Sequence, residues 1–229
     1  MRVFTKVTIT LGLLLLQGCK HSSSLDVVVL IDISASVGDN TNRMESAVYS
    51  LIDKLRDGDE VRVIPICNGS YSTVTSSLDL KVPERREAFD EELVRSRIQF
   101  KKQVETILSA TPCKKTAILE AIERAADLSR HGEETLYIYT DGIEDADISF
   151  YKDRRLGSSE EAVKLAEKLA LVHRHLPGTG IRFGLLESED FDKLPRQRRD
   201  AIVAFWRAYL SELSKDYQIE SPELLKGTR

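Results

Sequence analysis

Among its 229 residues the chain has only three cysteines, one tryptophan, two methionines, six prolines and twelve glycines. So few cysteines exclude a disulfide-dense miniature scaffold, and so few glycines and prolines exclude collagen-like and low-complexity chains. An excess of one charge is also lacking. The 33 basic residues face 37 acidic ones, a net of −4, which gives no electrostatic case for nucleic acid. No apolar run reaches the roughly 20 residues that a spanning helix needs. What is present is 41% hydrophobic and 31% charged residues, the balance of a globular protein. A domain of roughly 150 to 200 residues buries about 70% of the surface of its unfolded chain, so folding requires neither metal nor disulfide. A metal site here serves function.

The amino terminus stands apart. Met1, Arg2 and Lys6 make a basic start, Val7 to Leu16 is apolar except at Thr8, Thr10 and Gly12, and Gln17-Gly18-Cys19 follows. That is the outline of a secretory signal peptide. Leu16-Gln17-Gly18-Cys19 resembles the bacterial lipobox, with Gln17 its less usual member; an ordinary signal that happens to end in a cysteine is the alternative. The resemblance implies a lipoprotein signal over 1–18, acyl chains such as palmitate on Cys19, and a membrane anchor that does not span. Residues 19–25, with three serines, read as a tether. Lys20 after the cysteine resembles the outer-membrane-sorted class of a two-membrane bacterium, so the expected place is the cell envelope, periplasm-facing or extracellular. Loss of Arg2 and Lys6 with the signal takes the net charge from −4 to −6. An oxidising compartment permits a disulfide between Cys67 and Cys113. Two buried thiols are the other reading, and both stay open.

From Leu25 the chain alternates between strand and helix patterns. Val27 to Ile31 is a continuous apolar run, as in a parallel strand covered on both faces, and it stops at Asp32. Met44, Ala47, Val48, Leu51, Ile52 and Leu55 form a helical stripe ended by Gly58. Val61 to Ile66 is a second strand, with Pro65 predicting that pairing lapses near its end. Ser72 to Leu80 reads as an edge strand in a hairpin. Residues 83–109 read as a long charged surface helix, and Ile118, Ala121, Ile122 and Ala125 mark another helix. Leu136 to Thr140 is a strand that stops at Asp141. Ser158 with Glu161 makes a capping box for a helix through Ala162, Leu165, Ala166 and Leu169. Ile181 to Leu186 is the last strand, and Ile202, Phe205, Trp206, Tyr209, Leu210 and Leu213 form one face of a closing helix. The alternation predicts an α/β fold over 26–215, a doubly wound, mainly parallel sheet with helices on both faces and one antiparallel edge strand. Residues 216–229 are expected to be a tail.

Two acids fall where such folds place ligands. Open α/β sheets bind outside the carboxyl ends of their strands, at the point where strand order reverses, and Asp32 and Asp141 both stand at strand ends. Ser34 and Ser36 follow Asp32 at alternate positions, and Thr116 precedes a helix. Carboxylates and hydroxyls are hard oxygen donors, suited to Mg²⁺, Mn²⁺ or Ca²⁺ rather than zinc. With two formal negative charges the site is neutral once a divalent ion binds, leaving it able to recruit an external carboxylate.

Asp32-Ile33-Ser34-Ala35-Ser36 resembles the Asp-x-Ser-x-Ser signature of von Willebrand factor type A domains, and Thr116 and the turn Thr140-Asp141-Gly142 fall on the expected later elements. The resemblance covers about Leu25 to Leu213. It implies a metal-ion-dependent adhesion site. Ser34, Ser36 and Thr116 then hold Mg²⁺ directly, Asp32 and Asp141 act through waters, and an Asp or Glu of a partner protein completes the octahedron. Lys114-Lys115 departs from the small residues usual before the threonine; these cations either weaken the metal or steer an acidic partner. The expected function is a membrane-anchored, metal-dependent protein-binding module, not an enzyme, with no nucleic-acid partner.

Other readings are simpler or enzymatic. Asp-x-Ser-x-Ser alone can be a capped turn, and Asp-Gly is an everyday turn. Glu144, Asp145 and Asp147 read as a solvated acidic loop rather than a second cation site. His173 and His175 point different ways and are assigned to the surface. A haloacid-dehalogenase-like phosphatase would also start from Asp32, but Ser34 stands where its general acid belongs. A serine hydrolase is weaker still, because Ser34-Ala35-Ser36-Val37-Gly38 lacks the first glycine of the nucleophile elbow. A structural lipoprotein with a non-functional site is the third alternative.

Overall fold

In a computed structural model, the structure describes residues 26–55, 58–67, 78–81, 90–128, 134–146, 148–173 and 175–220. The signal peptide, Cys19 and the tether lie outside them. Among the described residues six strands make one sheet: β1 (Asp26–Asp32), β2 (Glu60–Ile66), β3 (Leu78–Lys81), β4 (Glu134–Thr140), β5 (Thr179–Leu185) and β6 (Tyr217–Glu220), in the spatial order β3-β2-β1-β4-β5-β6. β1, β2, β4, β5 and β6 run parallel, while β3 pairs antiparallel with Glu60–Val63 of β2. The described part of this pairing ends at Val63 opposite Leu78, and the partners of Ile64 and Pro65 on that side lie outside the described residues. On the other side the register with β1 continues through Ile31 opposite Pro65 to Asp32 opposite Ile66.

Helices cover both faces because the middle of β1, Val27 to Ile31, is apolar at every position. Successive side chains of a strand point to opposite faces. Val28 and Leu30 therefore join one core with α3 (Ile118–Leu128), α4 (Ser159–Ala170) and α6 (Arg196–Leu213), while Val27, Val29 and Ile31 join another with α1 (Thr41–Lys54) and α2 (Asp90–Leu108). A short helix, α5 (Glu189–Lys193), precedes α6. Met44, Val48 and Ile52 of α1 are buried, and α4 begins where Ser158 Oγ accepts the Glu161 amide at 3.3 Å. Among the described residues no helix is long and apolar enough to cross a membrane.

Of the edge strand expected from Ser72, Leu78–Lys81 is described, and 72–77 lie outside the described residues. One boundary differs from the sequence expectation, because the domain continues past 215: Tyr217–Glu220 form β6, and Ser214 Oγ donates to the Thr179 carbonyl at 2.6 Å while the Ile181 amide donates to the Asp216 carbonyl at 2.7 Å. Arg182 adds two 3.1 Å hydrogen bonds to the Asp216 carboxylate. Four residues with two apolar side chains are too few to show a period, so only tertiary pairing reveals the strand.

The aromatic residues concentrate around Trp206. Its ring lies 5.9 Å from Phe150, 5.1 Å from Phe183, 5.1 Å from Phe205 and 5.8 Å from Tyr209, and its Nε1 donates to the Gly142 carbonyl at 2.8 Å. Gly142 has φ +76°, and a Cβ there would stand 2.9 Å from Leu185 Cδ1 and 3.1 Å from Trp206 Nε1. Backbone strain and overpacking thus coincide at one residue. Gly142→Ala is expected to destabilise the fold by about 1 to 3 kcal/mol. An unchanged urea midpoint in equilibrium denaturation would contradict this packing.

Candidate cation site

From β1 the sheet grows to β2 on one side and to β4 on the other, so the crevice at the carboxyl ends of β1 and β4 is its switch point. Asp32 is the last residue of β1 and Asp141 the first beyond β4, and both are fully buried. One oxygen of Asp32 accepts the Ser34 amide at 2.8 Å, and the other accepts the Thr140 hydroxyl at 2.6 Å. Thr140 Oγ1 in turn accepts the Gly142 amide at 3.1 Å. Asp141 accepts the Ile143 amide at 3.0 Å and the Ser188 hydroxyl at 2.8 Å. The Ser34 and Ser36 hydroxyls lie 3.0 Å apart, and Ser36 is near enough to Asp141 to favour its charged form. β1 and β4 thus bring four of the expected residues into one cluster.

The fifth, Thr116, lies on the connection between α2 and α3, and no hydrogen bond among the described residues joins its hydroxyl to the other four. The Cys113 amide of that connection donates to the Ile33 carbonyl at 3.0 Å, with Cys113 bridged in parallel to Ser34, and the Thr116 carbonyl accepts the Asp145 amide at 2.9 Å. Thr116 is buried, while Lys114 and Lys115 are exposed. Cys113 is joined to Cys67, the residue after β2, in a disulfide with Cα atoms 5.7 Å apart. This connection is therefore tied to the ends of β1, β2 and β4.

Three neighbouring residues have roles that no sequence pattern showed. Glu144 is not part of a solvated loop: it is buried and accepts the Leu119 and Ala146 amides, each at 2.9 Å. Placed against the first turn of α3, it satisfies a donor the helix cannot satisfy itself. Asp145 is half-buried, and Asp147 lies outside the described residues. Ser188 caps α5 by accepting the Phe191 amide at 3.0 Å while donating to Asp141. A serine ahead of an acidic turn is a pattern that could have shown the cap, but nothing in the sequence points to the carboxylate. Thr140 was legible only as part of the turn. His173 is mostly buried, with Nδ1 against the Tyr209 hydroxyl and Nε2 3.3 Å from Glu123, rather than on the surface.

The electrostatics follow from this crowding. Every donor named above to the two carboxylates is neutral. Burial first, then the negative charge of Asp141, pushes the Asp32 carboxyl up to about 7, against the opposing hydrogen bonds from Thr140 and Ser34. Burial also raises Asp141, and Asp190 adds to the rise. Among the described residues no group of three or more His, Cys, Asp or Glu side chains is placed to hold a metal. An ion at the switch point therefore depends on hydroxyl donors, and two buried acids lined by serine and threonine fit Mg²⁺ or a similar hard cation. Beside Ser36 opens a groove of about 430 Å³, walled by Asp39 and Asn40 on one side and by Glu187, Ser188 and Asp190 on the other.

No family model matches the chain, and no curated protein shows significant sequence similarity to it. Solved structures do share its architecture. The pilus adhesin SpaC of Lactobacillus rhamnosus GG superimposes with TM-score 0.52 at 11% identity, covering 90% of this chain and 29% of the adhesin. This likeness is one of fold. A von Willebrand factor type A protein of Catenulispora acidiphila matches with TM-score 0.47 at 18% identity over 89% of this chain and 40% of its own. An aerotolerance-related membrane protein of Bacteroides fragilis matches with TM-score 0.48 at 17% identity over 89% and 96%.

A raised carboxyl makes a signed prediction. Asp32 holds its proton in the folded state up to about 7 but releases it near its ordinary value when unfolded, so the folded state binds more protons in between. Its contribution to stability is present below about pH 4 and is lost as pH climbs through about 7. In metal-free buffer, Asp32→Asn should therefore gain on the parent protein as pH rises from about 4 to about 8. Parallel melting curves for the two proteins over that range would refute the shift.

Proposed function

We propose that this chain is an exported, lipid-anchored protein-binding module. In this reading it grips an Asp or Glu of a partner protein through Mg²⁺, or Mn²⁺ or Ca²⁺, held by Asp32, Ser34, Ser36, Thr116 and Asp141. The observation that carries the reading is the pair of buried, neutrally solvated carboxylates at the switch point, with two serine hydroxyls in the same cluster. Such a pair repels itself in the absence of a cation and is relieved by one. The ion supplies Lewis acidity towards a carboxylate ligand. The protein holds its ligands still and keeps the carboxylates dry. Likeness in fold to a pilus adhesin supports a role in binding rather than turnover, and so does the Asp-x-Ser-x-Ser signature of von Willebrand factor type A domains. Export is supported by the basic start, the apolar run and the lipobox-like Leu16 to Cys19, and by a disulfide that suits an oxidising compartment.

Binding of a cation only to the folded state stabilises it by about 2.7 kcal/mol at a hundredfold excess over Kd. Mg²⁺ in millimolar excess should raise the melting temperature, EDTA should reverse the rise, and Ser36→Ala should abolish it without unfolding the chain. Calorimetry showing no heat with Mg²⁺, Mn²⁺ or Ca²⁺ would remove the metal from this account. For the anchor, Cys19→Ala is expected to shift the protein from the membrane to the soluble fraction and to remove the mass of the acyl chains. A variant that stays with the membrane at unaltered mass shows there was no lipid.

A further inference from the structure

Resting on that reading, we propose that the Cys67–Cys113 disulfide is the positioning element of the cation site, so that cation binding responds to thiol oxidation. The connection over 109–117 reaches the site across an exposed surface: Ser109 to Pro112, Lys114 and Lys115 are all exposed. Two backbone hydrogen bonds hold it from one side, Cys113 to Ile33 and Asp145 to Thr116. From the other side the disulfide fastens Cys113 to the end of β2, the strand next to β1. Cys113 is thus pinned between the carboxyl ends of two adjacent strands, in register with Ser34 and three residues ahead of Thr116. Both of these residues belong to the proposed ligand set, and among the described residues the cystine is the only covalent cross-link near them.

Both cysteines are half-buried, so a small opening of an exposed connection brings a reductant to the sulfurs. The co-reactant is a dithiol. One of its thiolates attacks a cystine sulfur and forms a mixed disulfide while the other cystine sulfur leaves as a thiolate. The second dithiol sulfur then resolves the mixed disulfide. Two electrons and two protons pass to Cys67 and Cys113, and the dithiol becomes a disulfide. The connection is left with its two backbone hydrogen bonds, and Thr116 loses the covalent anchor three residues before it. Positioning groups behind metal ligands typically govern affinity by 10- to 100-fold.

The test uses the full chain, titrated with Mg²⁺ alone by calorimetry in three forms: oxidised, reduced by dithiol, and as the double variant Cys67→Ser with Cys113→Ser. Mg²⁺ affinity should fall at least about tenfold in the second and third forms and return when the reduced protein is reoxidised. Amide hydrogen exchange supplies a readout independent of metal. The Cys113 and Asp145 amides should exchange faster on reduction while the amides of β1 and β4 keep their protection. Equal Mg²⁺ affinity in all three forms overturns the inference and leaves the metal-binding reading intact. Loss of protection throughout the sheet overturns it as well, because the cystine is then a staple of the whole fold. An oxidised chain that takes up no Mg²⁺ at millimolar concentration overturns both.

Discussion

Two carboxylates that repel one another are held side by side in a dry place, and much of the upper edge of the sheet is arranged around that conflict. Asp32 and Asp141 are neighbours because β1 and β4 are neighbours, paired from Asp26 opposite Glu134 to Ile31 opposite Tyr139. The sheet register thus fixes the separation of the two acids before any loop contributes. What the loops add is donors: the amides of Ser34 and Ile143 and the hydroxyls of Thr140 and Ser188 each take one carboxylate oxygen. Hydrogen bonds of this kind stabilise the charged form, but here they do not outweigh desolvation, and the Asp32 carboxyl stays near 7. That residual repulsion is what the proposed cation would relieve.

The rigidity of the surroundings has separate sources on the two sides. On the β4 side it comes from packing, as Trp206 closes over Gly142 and Arg198 donates to the Phe150 and Asp153 carbonyls at 2.7 and 3.1 Å. Glu144 adds a buried carboxylate that ties the same loop to the start of α3. On the β1 and β2 side it comes from a covalent bond between residues 46 positions apart, worth up to about 4 kcal/mol to the folded state in the chain-entropy model. The loops that hold the site are therefore of unequal character, one embedded in an aromatic cluster and one exposed and stapled.

What could be read in advance depended on the length over which a pattern runs. The stripe Met44, Val48, Ile52 and the face Ile202, Phe205, Tyr209 span several turns, so their helices were legible, as were the apolar runs of β1 and β4. β6 was not, because four residues carry no period and Tyr217–Glu220 become a strand only by lying beside β5. Glu144 was misjudged for a related reason. Its burial is decided by a partner amide 25 positions away, and the local run of acids pointed to solvent. Ser188 reaches Asp141 across 47 positions. Motif order named the acids and hydroxyls, but whether Cys113 approaches Cys67 closely enough to bridge is a tertiary distance, which residue order leaves open.

The topology also assigns directions. Asp26 opens β1 at one edge of the sheet and Asp32 closes it at the other, seven residues that at about 3.3 Å each span roughly 20 Å. Any tether that precedes Asp26 is attached to the edge opposite the paired carboxylates. The proposed cation site, and the acidic groove beside Ser36, therefore lie at the end of β1 opposite Asp26, where the described chain begins. A parallel sheet separates the two ends of every strand by the thickness of the domain. Strand direction alone thus sets the start of β1 and the paired carboxylates at opposite ends of the domain.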